Sequence, residues 1–144
     1  LRVFEKPPPM STYLIAAVVA ADGDLESLGA TTERGFPITV WATQGKSDQL
    51  QYALDAAIAI LQEYEVLFGS EFPLPKLDLV AIPSFAAGAM ENWGLITYRE
   101  TALLVGTDPE SSSIKARHRV VTVVAHELAH SWFGDLVTMK WWDT

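Results

Sequence analysis

Cysteine is absent from the 144 residues, which excludes disulfides and leaves the redox compartment undecided. Long apolar runs are missing as well. The longest, Tyr13 to Ala21, falls far short of the ~20 residues that a membrane-spanning helix needs. Nothing resembling a secretory signal is present either. The chain opens on Leu1 rather than Met and stops at Thr144, so it reads as an internal piece of a longer protein, and any membrane anchor would lie outside it. Charge is sparse and one-sided, 19% of residues with a net −8. That balance disfavours a nucleic-acid partner or an anionic membrane surface, whereas a negative field favours cationic N-termini over anionic ligands. Apolar residues at 49% argue against disorder and suffice for one ordinary domain with a sizeable core.

Histidine is scarce too, three in all, yet two of them fall in His126-Glu127-Leu128-Ala129-His130. On a helix, residues four apart share a face, so His126 and His130 aim their imidazoles at one spot and can hold a zinc ion. Glu127 diverges from its neighbours by about 100° around the helix, so it does not ligate with them. It is placed to take a proton from water and return it to a leaving group. A zinc hydrolase needs about three protein ligands and one open position. His118 is not the third, because it lies about 12 Å from His126 along the helix axis; it reads as a surface or interface histidine.

Patterning predicts a mixed α/β (α+β) chain. Tyr13 to Ala20 is apolar on both faces and reads as a buried strand, led in by the stiff Pro7-Pro8-Pro9. Asp22 to Gly35 is polar and glycine-bearing, a turn or linker and the candidate domain boundary. Phe36 to Trp41 alternates like a strand. Ser47 and Asp48 offer N-cap chemistry with Gln51 as capping-box partner. Leu50, Leu54, Ala57, Ile58, Leu61, Tyr64 and Phe68 then recur at helical spacing until Gly69. Leu77 to Ile82 and Trp93 to Tyr98 read as strands, with Ser84 to Asn92 a loop between them and Thr107 to Ser113 a polar loop after them. From Ile114 to Phe133 the β-branched run Val120-Val121-Thr122-Val123-Val124 competes with helix, but the stretch is too long for a strand. Helix is the expectation, buried and apolar just before its ligands.

Upstream of the histidines stands Gly88-Ala89-Met90-Glu91-Asn92, followed by Trp93-Gly94. Together with the tail Trp132-Phe133-Gly134-Asp135-Leu136-Val137-Thr138-Met139-Lys140-Trp141-Trp142, these motifs resemble the M1 family of zinc aminopeptidases. The likeness runs through nearly the whole chain, including Pro9 to Leu14, Phe72 to Leu79 and Thr97 to Glu100. It implies that residues 1–22 end an N-terminal β-domain and that 23–144 form the first part of a thermolysin-like catalytic domain. It implies one zinc per full-length chain on His126 and His130. The third ligand would be a glutamate about nineteen residues after His130, past Thr144, with a transition-state tyrosine further on; the fragment alone is then expected to be inactive.

The resemblance also makes residues 88–92 the substrate-binding segment. Gly88 and Ala89 let backbone approach a ligand closely, so that a peptide can pair as an added strand. Glu91 offers a carboxylate to the free α-ammonium of a peptide, which explains exopeptidase action. Met90 suits a tolerant wall for the first side chain, or plain core packing. Trp93, Trp141 and Trp142 read as packing. Asp135 could orient a ligand histidine, but a solvated loop acid is the expected assignment. The alternative function is a non-catalytic, receptor-like peptide binder of the same fold. Ser111 to Ser113 and Arg119 to Ala125 look closest to the membrane-anchored ectoenzyme branch, whereas Phe85 to Gly88 and Thr101 to Leu104 resemble the cytosolic puromycin-sensitive branch. A plasma-membrane ectoenzyme is the expectation, with a cytoplasmic enzyme as alternative. Oligomeric state is not legible.

Overall fold

The computed structural model describes residues 3–143. Eight elements follow one another: β1 (Leu25–Thr31), β2 (Pro37–Thr43), α1 (Gln51–Phe68), β3 (Leu77–Ile82), β4 (Ala89–Met90), β5 (Leu95–Arg99), α2 (Glu100–Leu103) and α3 (Ile114–His130). The strands form one mixed sheet in the order β1-β2-β3-β5-β4. β2, β3 and β5 run parallel at its centre, and β1 and β4 close the two ends antiparallel. A parallel neighbour cannot be reached by a tight turn, and α1 supplies the crossover from β2 to β3.

Alternation on β2 sends Ile38, Val40 and Ala42 to one face, where they are fully buried. Leu77, Leu79 and Ala81 of β3 and Ile96 and Tyr98 of β5 join them in the core. The stripe expected on α1 packs there: Leu50, Leu54, Ala57 and Leu61 are buried, Ala53 joins them, and Ile58, Tyr64 and Phe68 lie partly buried against them. Burying each such side chain stabilises by roughly 1.5–3 kcal/mol. Gly69 ends the helix in the left-handed conformation, φ 61°, where its N–H reaches back to the Glu65 and Val66 carbonyls. α3 lies beside α1 on this core through Val120, Val124 and Leu128.

Several expectations are corrected. Tyr13 to Ala20 is not a buried strand: Thr12–Leu14 is a short 3-10 turn, Leu14 is buried, and Val19 is 95% exposed. An apolar run makes a strand only with a neighbour to pair, and no strand pairs with it among the described residues. Asp22 to Gly35 is not a linker, since it contains β1. That strand is a sheet edge with mostly exposed residues, so it carries no apolar alternation to read. Its register comes from the turn instead, where Thr32 N–H and Phe36 O, Gly35 N–H and Thr32 O, and Phe36 N–H and Thr32 Oγ1 are bonded. The helix expected from Asp48 begins with a 3-10 turn at Ser47–Gln49, and the cap of α1 is Leu50 with no side-chain bond. The 84–92 loop contains β4, and the brief α2 was not foreseen. α3 is amphipathic rather than buried all round, with Thr122 exposed beside buried Val120 and Val124. Trp141 and Trp142 are exposed rather than packed inside.

Candidate active site and metal centre

α3 delivers the histidine pair. Ser113 caps it, its Oγ accepting from Ala116 N–H at 3.2 Å, and burial of Val120, Val124 and Leu128 overrides the strand preference of their neighbours. The Tyr64 hydroxyl of α1 donates to the Ala125 carbonyl at 3.1 Å, pinning the last turns before the site. His126 and His130 meet edge to face, ring centroids 4.8 Å apart, with their Nε2 atoms separated by 3.2 Å. His130 Nδ1 lies 2.9 Å from the Phe133 carbonyl. A carbonyl only accepts, so Nδ1 carries a proton, and in the neutral ring that tautomer leaves the Nε2 lone pair for a ligand. The return turn needs Gly134, whose φ of 125° disfavours a side chain and whose Cβ would stand 3.3 Å from His130 Nδ1.

These residues fit a metal. Two nitrogens held at ~2.0–2.1 Å by a tetrahedral zinc ion stand about 3.3 Å apart, and the observed 3.2 Å matches that edge. Beside them Glu127 is 6% exposed, and its Oε2 has no hydrogen-bond partner among the described residues. Burial, then the Glu91 carboxylate, push the Glu127 carboxyl up to about 7, and His130 pulls against them. One ligand atom each from Glu91, Glu127 and His130 lie within 4.8 Å of one another. That cluster could itself grip a cation. The imidazole pair offers two nitrogens where that cluster offers one, and it leaves Glu127 Oε2 uncommitted.

The second motif comes in from the sheet edge. Ala89 and Met90 form β4 and pair with Tyr98 and Thr97, and β4 stands last in the sheet order. Gly88 has an ordinary backbone conformation, and a Cβ there would meet only Arg119 Nη2, at 3.8 Å. Glu91 is half-buried beside Glu127 and His130. Asn92 faces inwards: its Nδ2 donates to the Leu14 carbonyl at 3.3 Å and its Oδ1 accepts from Thr97 Oγ1 at 2.8 Å. Its side chain is therefore committed to the fold. Trp93 is buried as expected, and Met90 is half-buried. His118 is exposed on α3, outside the cluster.

Two members of the site were missed. Asp135 is not a solvated loop acid. It is 3% exposed, and neither carboxylate oxygen has a partner among the described residues. Burial, then Glu91, push it up to about 7, His130 pulls it back, and Glu127 adds to the rise. Its position just after Gly134, in a turn folded back on the helix by Asp135 N–H to His130 O at 3.0 Å, was the available signal. Tyr98 is wholly buried, with its hydroxyl unpartnered among the described residues. Burial and the Glu127 carboxylate push it well above its ordinary value, and only the family likeness of Thr97 to Glu100 pointed towards it.

The sequence pattern of the peptidase family M1 domain matches residues 52–144. The chain is 53% identical over 140 residues to endoplasmic reticulum aminopeptidase 2 of Bos taurus, covering 97% of this chain and 14% of that protein. It is 52% identical over 139 residues to puromycin-sensitive aminopeptidase of Caenorhabditis elegans, covering 96% of this chain and 14% of the relative. Aminopeptidase M1-B of Oryza sativa subsp. japonica is 52% identical over 139 residues, covering 96% and 15%. The chain thus spans about one seventh of the length of the curated relatives it matches. These relatives do not support the expectation of a plasma-membrane ectoenzyme and correct it: at about half identity they are named as endoplasmic reticulum, puromycin-sensitive and plant M1 aminopeptidases. Among the described residues no helix is long and apolar enough to cross a membrane.

Proposed function

This chain belongs to peptidase family M1, and we propose that the whole protein is a zinc-dependent aminopeptidase that cleaves the first peptide bond of peptides with a free N-terminus. The observation that carries the reading is the pair of imidazole Nε2 atoms 3.2 Å apart, with a buried carboxylate oxygen beside them that has no partner among the described residues. His126 and His130 would hold the zinc with a third ligand from elsewhere in the protein. Bound there, it would supply Lewis acidity towards water and the scissile carbonyl.

Glu127 does the proton work. Its unpartnered oxygen accepts a proton from the attacking water and passes it to the departing amine. Burial raises its basicity and suits it to hold that proton near neutral pH. Glu91 receives the substrate's α-ammonium, and an internal peptide bond, which has no charge there, would leave the carboxylate unpaired. Gly88 and Ala89 bring the edge of the sheet to the peptide as a strand partner. Among the described residues only the Arg119 guanidinium comes within 4 Å of a Cβ built at Gly88, at 3.8 Å, which supports keeping that space for a ligand. In the same reading residues 1–22 end a preceding β-domain and 23–144 begin the catalytic domain, in accord with β1 lying in the sheet of β2 to β5.

The test is metal content and turnover in the whole protein. Wild type should hold about one zinc per chain. Glu127→Gln should keep that zinc and lose about a hundredfold or more in kcat. Full turnover in the zinc-loaded variant would remove Glu127 from the role of base. Peptide binding without zinc or turnover in wild type would instead favour the non-catalytic binder.

A further inference from the structure

Building on Glu91 as the amine receptor, we propose that Arg99 is the positioning residue that sets it, by clamping the loop that leads into β4. β3 and β5 run side by side as far as the pair Ile82 and Arg99, where β3 leaves the sheet. The chain then turns through Ser84 at φ 55°, a left-handed conformation that costs a non-glycine residue free energy and persists only when the surroundings hold it. Arg99 follows the chain out. Its Nε donates to the Phe85 carbonyl at 2.9 Å, its Nη2 donates to the Ala86 carbonyl, and its own backbone N–H donates to the Gly88 carbonyl at 2.9 Å. One residue thereby fixes three carbonyls of a six-residue loop, 83–88. A planar guanidinium can span two successive carbonyls, whereas an ammonium is a point charge on a flexible stem.

β4 starts on the next residue, with Ala89 opposite Tyr98, so the phase at which the chain rejoins the sheet is set by this clamp. Glu91 follows at once. On its other side Asn92 is tied to Thr97 and to the Leu14 carbonyl. Glu91 therefore stands between two fastenings that both rest on β5, and its carboxylate inherits its place from the backbone on either side. A receptor displaced by about an ångström costs on the order of a hundredfold, so the clamp sets how strongly a free N-terminus is preferred.

The experiment uses the whole zinc-loaded protein and one peptide in free and N-acetylated forms. Arg99→Gln should lower kcat/KM for the free peptide by about 30- to 100-fold, mainly through KM, with the acetylated peptide and zinc content unchanged. Arg99→Lys, which keeps one donor, should recover part of the preference. Equal losses on both peptides, or no loss on either, overturn the proposal. Glu91→Ala measured alongside separates the two layers. If it fails to narrow the preference, the amine-receptor reading falls and takes this proposal with it; if it narrows the preference and Arg99→Gln does not, Arg99 alone is refuted. Should Arg99→Gln not accumulate folded, Arg99→Lys decides. A partly narrowed preference with faster hydrogen exchange at Ala89 and Met90 supports the clamp, and wild-type values in both overturn it.

Discussion

Glu127→Gln should make the zinc-stripped protein more stable while it destroys catalysis. The Glu127 carboxyl is 6% exposed, and burial with the Glu91 charge raises it from an ordinary value near 4.5 to about 7. Between those two values the folded state holds a proton that the unfolded state has released. Stability therefore falls as pH rises from about 4.5 through 7 and is level above that. The full cost of the ionised carboxylate is roughly 3 kcal/mol. Glutamine cannot ionise, although its buried amide hydrogens bring a desolvation cost of their own, so the net gain at pH 8 should be about 1–3 kcal/mol. At pH 5 it should be under about 1 kcal/mol. Hydrogen exchange of the α3 amides, wild type against variant at each pH, reads this opening free energy locally. Restoring zinc should shrink the difference, because a bound cation offsets the carboxylate's charge. A variant no more stable than wild type at pH 8, or equally stabilised at both pH values, would refute the reasoning.

Three further outcomes are expected. His130→Ala should cut zinc in the whole protein sharply from about one per chain, by metal analysis; undiminished zinc would move the metal elsewhere. Glu65 binds the Arg34 guanidinium at 2.5 and 3.1 Å and the Phe72 N–H at 2.8 Å. Burial pushes its carboxyl up, but these partners outweigh it and hold the group below its ordinary value. The stability it contributes is complete above about pH 4.5 and is lost as pH falls through its folded value. Glu65→Gln should therefore cost about 1.5–3 kcal/mol at neutral pH and little in acid, read by urea denaturation at pH 7 and pH 3. Gly88→Ala should leave the melting temperature within a degree or two, since a Cβ there meets nothing closer than 3.8 Å, yet raise KM for peptides about tenfold or more. An unchanged KM would show that no ligand uses that space.

What the sequence made legible was carried by periodicity and by rare residues at fixed spacing. The stripe from Leu50 to Leu61 and the glycine after Phe68 mark α1, because a buried face and a left-handed cap leave direct traces. His126, Glu127 and His130 were legible because their spacing already implies a shared helical face. β1 was not, since a mostly exposed edge strand with only Leu28 packed on the core leaves no apolar alternation. Tyr13 to Ala20 misled for the opposite reason: it has the composition of a buried strand but no partner strand among the described residues. Asp135 and Arg99 escaped because their surroundings are made by chain folding back, in one case a turn onto His130, in the other a loop of carbonyls with no signature of residue type.

Hydrolysis of one peptide with a free and with an N-acetylated terminus, by the whole protein and by its Glu91→Ala variant, tests the central claim most directly. Wild type should strongly prefer the free amine. Glu91→Ala should lose roughly 3–5 kcal/mol in kcat/KM for that peptide while the acetylated one barely changes. Equal losses on both peptides would contradict the account, making Glu91 a structural residue and placing the amine receptor elsewhere.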